Sequence, residues 1–318
     1  MERENQFIIL LTALLITMLV LFSPLLLLFI ILSKIWECII CKPTKSIADD
    51  VAVVTGAAGG LGRAIALELA KRGCHIAVVD VNIEGAEETV RQIHEISKVK
   101  AKAYRVNVTS FAEITDLKTN VEQDLGSVTI LINNAGILLH SKPLDPAPED
   151  VQRMIDVNLT SHFWTKFAFL PTMKKLRKGN IVTISSVGGI LPLAFNTAYT
   201  ASKFGSTGHM KALRMELALE KQHNIHVTTV MPSFLDTNDE ISQMVHAIKA
   251  NRVYPLIKGK SAANRIVRGM LAEEREIKLP YFVDTLHRIL NLLPIKWQEG
   301  LILITTSKLF LKFKKNFV

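Results

Sequence analysis

Between residues 48 and 280, short runs of β-branched and aliphatic residues alternate with helix-like stretches, and this alternation restricts the fold more than any other feature of the chain. Residues 51–54, 76–79, 101–106, 130–132, 181–184 and 227–230 read as strands. They are continuous apolar or β-rich runs, the pattern of buried strands in a parallel sheet covered on both faces. Helical spacing fills the intervals, as in residues 61–71 and 202–220. Strand followed by helix, repeatedly, predicts an α/β fold with a doubly wound parallel sheet. No internal repeat or long linker interrupts it, so one domain is expected over residues 46–280 of the 318.

The N-terminus has a different character. Residues 6–33 carry no charge, and the Leu/Ile-rich run from 7 to 33 is broken only by Thr12, Thr17, Ser23, Pro24 and Ser33. As a helix it would be roughly 40 Å long, against a hydrocarbon core of about 30 Å. It is too long for a signal-peptide core, its leading residues are not basic, and no small-x-small cleavage site follows. Residues 1–45 are therefore predicted to form a retained hydrophobic membrane anchor with a basic flank, which accounts for the mean hydropathy of +0.26. Lys34, Lys42 and Lys45 follow the run while a single Arg precedes it. By the positive-inside rule the body then lies in the cytosol. Pro24 leaves two geometries open, a kinked span or a hairpin in one leaflet. At the other end, residues 281–318 mix Phe282, Leu286, Ile289 and Phe310 with Lys308, Lys312, Lys314 and Lys315. This amphipathic C-terminal segment suits a membrane interface, or else a solvated, partly packed helix.

The net charge is +9. Glu2, Arg3, Glu4, Lys34 and Glu37 leave residues 1–40 at −1, so the rest carries +10. No nucleic-acid motif accompanies this excess, and no nucleic-acid partner is expected. An anionic membrane surface or a phosphate-bearing cofactor suits it better. Three cysteines, Cys38, Cys41 and Cys74, exclude a disulfide framework. Cys38 and Cys41 form a C-x-x-C, but no second pair completes a zinc site, so no metal is expected.

Thr55-Gly56-Ala57-Ala58-Gly59-Gly60-Leu61-Gly62 follows the first strand and opens a helix. Glycines there permit a tight turn and let a pyrophosphate approach the N–H groups of the helix start. Asp80 closes the second strand. A carboxylate in that position accepts hydrogen bonds from adenosine ribose hydroxyls and repels a 2′-phosphate, which favours NAD over NADP. Arg63 is the counter-argument, because a guanidinium beside the turn can pair with that phosphate.

Taken together, these residues resemble the short-chain dehydrogenase/reductase superfamily over about residues 48–280. The matching motifs are T-G-x-x-x-G-x-G at 55–62, N-N-A-G at 133–136, Asn158, Ser186, and Y-x-x-x-K at Tyr199 and Lys203. Residues 162–165 and 199–205 look like a membrane-bound subgroup that includes epidermal retinol dehydrogenases and lipid-droplet 17-beta-hydroxysteroid dehydrogenases. The resemblance implies a Rossmann-type sheet and an NAD(P)-dependent oxidoreductase. It assigns cofactor contacts to Gly56, Gly60, Leu61, Gly62, Asp80, Asn107, Asn134, Ala135, Gly136, Tyr199, Lys203, Pro232 and Thr237. Asn107 stands where an Asp often contacts adenine, and Ser233 replaces the Gly of P-G-x-x-x-T at 232–237. The resemblance also implies that Lys203 holds the nicotinamide ribose, and that Asn158 fixes a water relaying protons to it. Ser185 competes with Ser186, and the family's thirteen-residue spacing to Tyr199 selects Ser186.

The chemistry of these residue types agrees. Tyr199 and Lys203, four apart at the start of a helical pattern, share a face. A nearby ammonium favours the phenolate and lowers a tyrosine from its reference value of about 10. Tyr199 is then the expected general base for an alcohol proton, and Ser186 the expected holder of the substrate oxygen. The sequons at Asn107 and Asn158 fall on these positions and read as chance. Residues 187–195 and 234–256 should flank the substrate, and both are rich in apolar side chains. An apolar pocket on a tethered body suits a lipophilic alcohol or carbonyl, whether retinol, a steroid or a long-chain alcohol. The expected location is the endoplasmic reticulum membrane, with lipid droplets and a homodimer open. The alternative is a non-catalytic reticulum or droplet protein with a vestigial Rossmann body, which a missing Tyr or Lys would favour. Neither is missing.

Overall fold

The computed structural model describes residues 45–139, 147–194, 196–237 and 255–304, with isolated positions at 17–18, 21–25, 28, 32, 242–243, 245–246 and 307. The chain divides into two units, Met1–Thr44 and Lys45–Val318.

In the second unit, seven parallel strands form one sheet: β1 (Val51–Thr55), β2 (His75–Asp80), β3 (Ala101–Arg105), β4 (Val128–Asn133), β5 (Gly179–Ile184), β6 (Ile225–Pro232) and β7 (Glu276–Leu279). Their order is β3-β2-β1-β4-β5-β6-β7. The helices are α1 (Gly60–Ala70), α2 (Ile83–Ile96), α3 (Phe111–Asp124), α4 (Pro148–Ile155), α5 (Ser161–Leu176), α6 (Thr197–Leu219), α7 (Gly259–Leu271) and α8 (Phe282–Leu290). The chain lays β1, β2 and β3 outward, then returns to place β4 on the other side of β1. The crevice where this order reverses, at the ends of β1 and β4, is where ligands bind in sheets of this kind.

Period-2 side-chain alternation divides the core into two layers. Ala52 and Val54 of β1 join a cluster with Ile65 and Leu69 of α1 and Ile266 and Met270 of α7. Val51 and Val53 join the opposite cluster, with Leu117 of α3, Phe169 of α5 and Leu213 of α6. All five β1 residues are buried, so the strand shows no apolar–polar alternation. One expectation needs correction. The pattern at 101–106 predicts a buried strand, but β3 is an edge strand with Lys102 and Arg105 exposed and Tyr104 buried. With no neighbour on one side, it is covered less completely than the central strands.

Local chemistry sets the helix starts. Asn82 caps α2 by accepting from Gly85 N at 3.0 Å, and Ser110 caps α3 by accepting from Glu113 N at 3.3 Å. Such caps satisfy donors that the first helical turn leaves unpaired. Between α4 and α5 the helix widens to a π-turn at Asp156–Thr160, a feature frequent at functional sites.

Of the predicted anchor, the described positions are helical, and Met18, Leu21, Phe22, Leu25, Leu28 and Leu32 are exposed. Most of it, with Cys38 and Cys41, lies outside the described residues. Among the described residues, no helix is long and apolar enough to cross a membrane. At the C-terminus, α8 buries Val283 and Leu290. Val283 packs with Val187, Ile190 and Met231, so this helix closes over the ends of β5 and β6. Its outer residues, and Leu292, Ile295 and Trp297 beyond it, are exposed.

Candidate active site

The glycine turn is built by close approach. Gly56 and Gly60 have φ of +65° and +55°, where a side chain is strained. Asn134 braces the turn from the end of β4. Its Nδ2 donates to Thr55 O at 3.0 Å and Gly56 O at 2.9 Å, while its backbone N donates to Thr55 Oγ1 at 3.0 Å. Ala135 N donates to the same hydroxyl at 3.1 Å. The helix that follows begins at Gly59 without a side-chain cap. Its first N–H groups therefore face the crevice with the positive end of the helix dipole behind them. A β-carbon at Gly59 would meet nothing within 4 Å, so there is open space at that point. Leu61 and Gly62 are buried, and the Leu61 side chain joins the core cluster. This donor set fits a pyrophosphate.

Asp80 stands at the adjacent strand end. Its Oδ2 accepts from Ala58 N at 3.0 Å and its Oδ1 from Asn82 N at 3.0 Å. Each oxygen keeps a lone pair for a ribose hydroxyl. Arg63, expected to compete by binding a 2′-phosphate, is engaged by the protein itself. Its Nε donates to Thr89 Oγ1 at 2.9 Å and its Nη2 to the carbonyls of Ala58 and Gly85. The guanidinium ties the turn to α2. Asn107, the expected adenine contact, turns its side-chain oxygen to Thr109 N at 3.1 Å and Thr109 Oγ1 at 2.9 Å. Pro232 closes β6. Thr237 lies across from the glycine turn, 3.6 Å from where a β-carbon on Gly60 would sit.

The remaining candidates converge from three elements. Tyr199 and Lys203 lie in the first turns of α6, and Lys203 Nζ is 5.7 Å from the Tyr199 ring centroid. Lys203 is 4% exposed and donates to Ile184 O at 3.0 Å. A β-carbon on Gly136 would lie 3.3 Å from both Lys203 Nζ and Asn158 Oδ1, so the two side chains meet over that glycine. Asn158 is 0% exposed. Its Oδ1 accepts from Ile137 N at 2.8 Å, and its Nδ2 donates to Ile137 O at 2.9 Å and Ser202 Oγ at 3.1 Å. Ser202 donates in turn to Tyr199 O at 2.7 Å. The asparagine amide thus pins the segment after β4 to the helix that carries the tyrosine. Ser202, which sequence reasoning passed over, is the link, and its only signal was its place inside Y-x-x-x-K.

Ser186 and Ser185 separate clearly. Ser185 is buried and joins Lys203 O at 3.1 Å and Thr207 Oγ1 at 2.9 Å. Ser186 is half-buried; its Oγ accepts from Gly188 N at 3.0 Å, and its hydroxyl acts on the Tyr199 phenol. Gly188 makes room for the phenol, because a β-carbon there would come within 3.2 Å of Tyr199 Cε1.

The electrostatics depart from the expected ion-pair effect. Burial raises Tyr199 above its ordinary value, and the Ser186 hydrogen bond is what pulls it back. Burial also lowers Lys203 to about 8. The ammonium lies beside the ring, yet burial is the dominant influence on both groups.

A family model described as short chain dehydrogenase matches residues 50–246. Epidermal retinol dehydrogenase 2 of Homo sapiens is 32% identical over 85% of this chain and 86% of its own length. Estradiol 17-beta-dehydrogenase 11 of Macaca fascicularis is 31% identical over 86% of this chain and 87% of its own. Among solved structures, a metagenomic short-chain oxidoreductase in complex with NADP matches at 29% identity and a TM-score of 0.62, covering 74% of this chain and 98% of that one. A 7α-hydroxysteroid dehydrogenase complexed with NADH and 7-oxo glycochenodeoxycholic acid matches at 26% identity and a TM-score of 0.67, covering 73% and 93%.

Proposed function

The chain belongs to the short-chain dehydrogenase family, and from that premise we propose that it interconverts a lipophilic alcohol and its carbonyl at a membrane surface. The observation that carries this reading is the convergence of Tyr199, Ser186, Lys203 and Asn158 beside Gly136, next to a turn fit for a dinucleotide pyrophosphate. A nicotinamide dinucleotide, when bound, supplies the hydride acceptor or donor. The turn at Gly56, Gly60 and Gly62, with Asp80, would hold its adenosine and pyrophosphate part, and Lys203 and Thr237 its nicotinamide part.

The chain's own residues handle the oxygen and its proton. Ser186 holds the substrate oxygen while charge develops on it. Tyr199 takes the alcohol proton in oxidation and returns it in reduction. Lys203, close to working pH at about 8, is charged or neutral as the proton moves. Asn158 keeps both helices and the strand end in register. The commitment of Arg63 to the turn, with Asp80 facing the ribose side, supports NAD over NADP.

Val187, Ile190 and Leu191, packed with Met231 and Val283, would flank the substrate, and their apolar character suits retinol, a steroid or a long-chain alcohol. The apolar run at 7–33 and the exposed Leu292, Ile295 and Trp297 support membrane attachment at both ends. The reticulum membrane or a droplet surface would then deliver the substrate. The test is a screen of microsomes containing the protein, with retinol, hydroxysteroids and fatty alcohols against NAD and NADP. Nucleotide-dependent oxidation of one class, faster with NAD, is the expected result. A wild-type protein that turns over none of them refutes the reading.

A further inference from the structure

The segment that leaves β6 runs along the crevice, and most of its polar groups are already engaged. Ser233 continues the ladder one residue past Pro232, its N donating to Leu279 O at 2.7 Å. Phe234 O accepts from Ile257 N at 3.0 Å, and Asp236 N donates to Ile257 O at 3.1 Å. The Asp236 carboxylate accepts from Gly259 N at 2.7 Å, at the start of α7. A β-carbon on Gly259 would lie 2.4 Å from Thr237 Cγ2, so Thr237 packs against the same helix start. The segment is thus held in place from the end of β6 to Thr237, beside Gly60 of the glycine turn.

One polar atom in it is uncommitted. Ser233 is half-buried as a residue, but its Oγ is shut off from solvent and has no hydrogen-bond partner among the described residues. Buried hydroxyls are nearly always paired, so this one asks for a cause. Its place follows from the ladder. Ile184 pairs with Val230, so Ser186 and Ser233 both stand just beyond the paired ends of β5 and β6. Because Ser233 N keeps its ladder bond, period-2 alternation puts its side chain on the face of Thr229 and Met231. That face is the one α6 covers, since Arg214 Nη1 donates to Thr229 Oγ1 at 3.3 Å, and α6 carries Tyr199. Met231 packs with Val187, the residue after Ser186. The hydroxyl therefore belongs to the Ser186–Tyr199 end of the crevice, on a segment whose other end reaches the glycine turn.

We propose that Ser233 is a further binding residue for the nicotinamide end of the dinucleotide, its Oγ sharing a hydrogen bond with the ring carboxamide. The proposal rests on the oxidoreductase reading and deepens it. A serine hydroxyl both donates and accepts, and a primary carboxamide offers one acceptor and two donors, so the two groups are complementary without any charge. The pyrophosphate and ribose have their own partners at the glycine turn and Asp80, and the substrate oxygen has Ser186 and Tyr199. The carboxamide is the polar group left for the Ser186 end of this segment. Glycine holds this position in P-G-x-x-x-T and has no hydroxyl, so the contact is a property of this chain.

The test measures NAD and ADP-ribose binding to the purified full chain by calorimetry, for wild type, Ser233→Ala and Ser233→Gly. ADP-ribose has the adenosine, pyrophosphate and second ribose of NAD and lacks the nicotinamide. Both variants should bind NAD about three- to tenfold more weakly, the net worth of one hydrogen bond, and ADP-ribose within about twofold of wild type. The nucleotide-free Ser233→Ala protein should melt at or above the wild-type temperature, because it loses a buried hydroxyl that the protein itself does not pair. NAD affinity unchanged in both variants overturns the proposal. An equal loss for NAD and ADP-ribose also overturns it, because the effect would then reach the part of the nucleotide at the glycine turn. A wild-type chain that binds neither ligand overturns the dinucleotide reading and the proposal with it. The expected split between the two ligands in a chain that oxidises no alcohol supports the contact and refutes the catalytic reading alone.

Discussion

The glycine turn supports a paired substitution that separates folding from ligand binding. A β-carbon on Gly62 would lie 2.2 Å from Gly56 O and 2.5 Å from Asn134 Nδ2. Both atoms belong to the 2.9 Å hydrogen bond that ties the turn to β4, and neither is the end of a flexible chain. Gly62→Ala must therefore wedge that bond open. Overpacking a tight site costs about 1–3 kcal/mol, and loss of one buried hydrogen bond adds about 1 kcal/mol. The sum, about 2–4 kcal/mol, corresponds to a melting temperature lower by roughly 5–15 °C for a domain of this size. Gly59→Ala is the counterpart. Its backbone is extended at φ −168°, and the new methyl group meets nothing within 4 Å. Stability should hold or rise slightly, as the unfolded chain loses freedom. Nucleotide affinity should nevertheless fall, because the open space is where the pyrophosphate would lie. Differential scanning fluorimetry and nucleotide titration by protein fluorescence read both quantities. A Gly62→Ala protein as heat-stable as wild type would refute the packing argument. A Gly59→Ala protein with unchanged nucleotide affinity would refute the cradle.

Tyr199→Phe should abolish turnover and leave nucleotide affinity within a few-fold, since the oxygen acts while the ring packs; an active Phe variant sinks the assignment. Lys203→Met tests the burial argument through pH. The folded value of about 8 lies below the unfolded 10.5, so the unfolded state binds more protons between those values and wild-type stability rises with pH there. Some 2.5 units amount to about 3 kcal/mol at most, and the orphaned Ile184 carbonyl offsets part of it. The stability of Lys203→Met relative to wild type should therefore fall as pH rises from 8 to 10.5 in denaturant titrations, and a difference independent of pH would contradict the depressed value. Deleting residues 1–44 keeps the Lys45–Glu273 pair at 2.5 Å and removes the apolar run. The truncated protein should keep its melting temperature and nucleotide affinity while sedimenting less with membranes, and full sedimentation would defeat the anchor.

The fold class was legible in the sequence because a central parallel strand is buried on both faces and reads as an unbroken apolar run, as β1 and β4 do. The glycine turn, Asp80 and the Tyr199–Lys203 pair were legible because each depends on local spacing, over a few residues. Edge strands were harder. Of the five residues of β3 only Tyr104 is buried, and β7 is four residues long, too short to carry a pattern. Four properties of the site came only from tertiary structure. Ser185 and Ser186 are neighbours in sequence, and only the packing of α6 against the end of β5 buries one and turns the other to Tyr199. The side chain of Arg63 is equally basic whether it meets a phosphate or a carbonyl, and α2 decides which. Tyr199 and Lys203 suggest an ion pair by spacing, yet their burial sets their proton affinities in the opposite sense. His162 is an unremarked residue in the sequence, and its two ring nitrogens have no partner among the described residues because burial at the start of α5, just after the π-turn, encloses it. Spacing along one element shows which side chains share a face, whereas desolvation and hydrogen-bond partners depend on distant segments, 80 residues apart for Thr55 and Ala135, which no local pattern records.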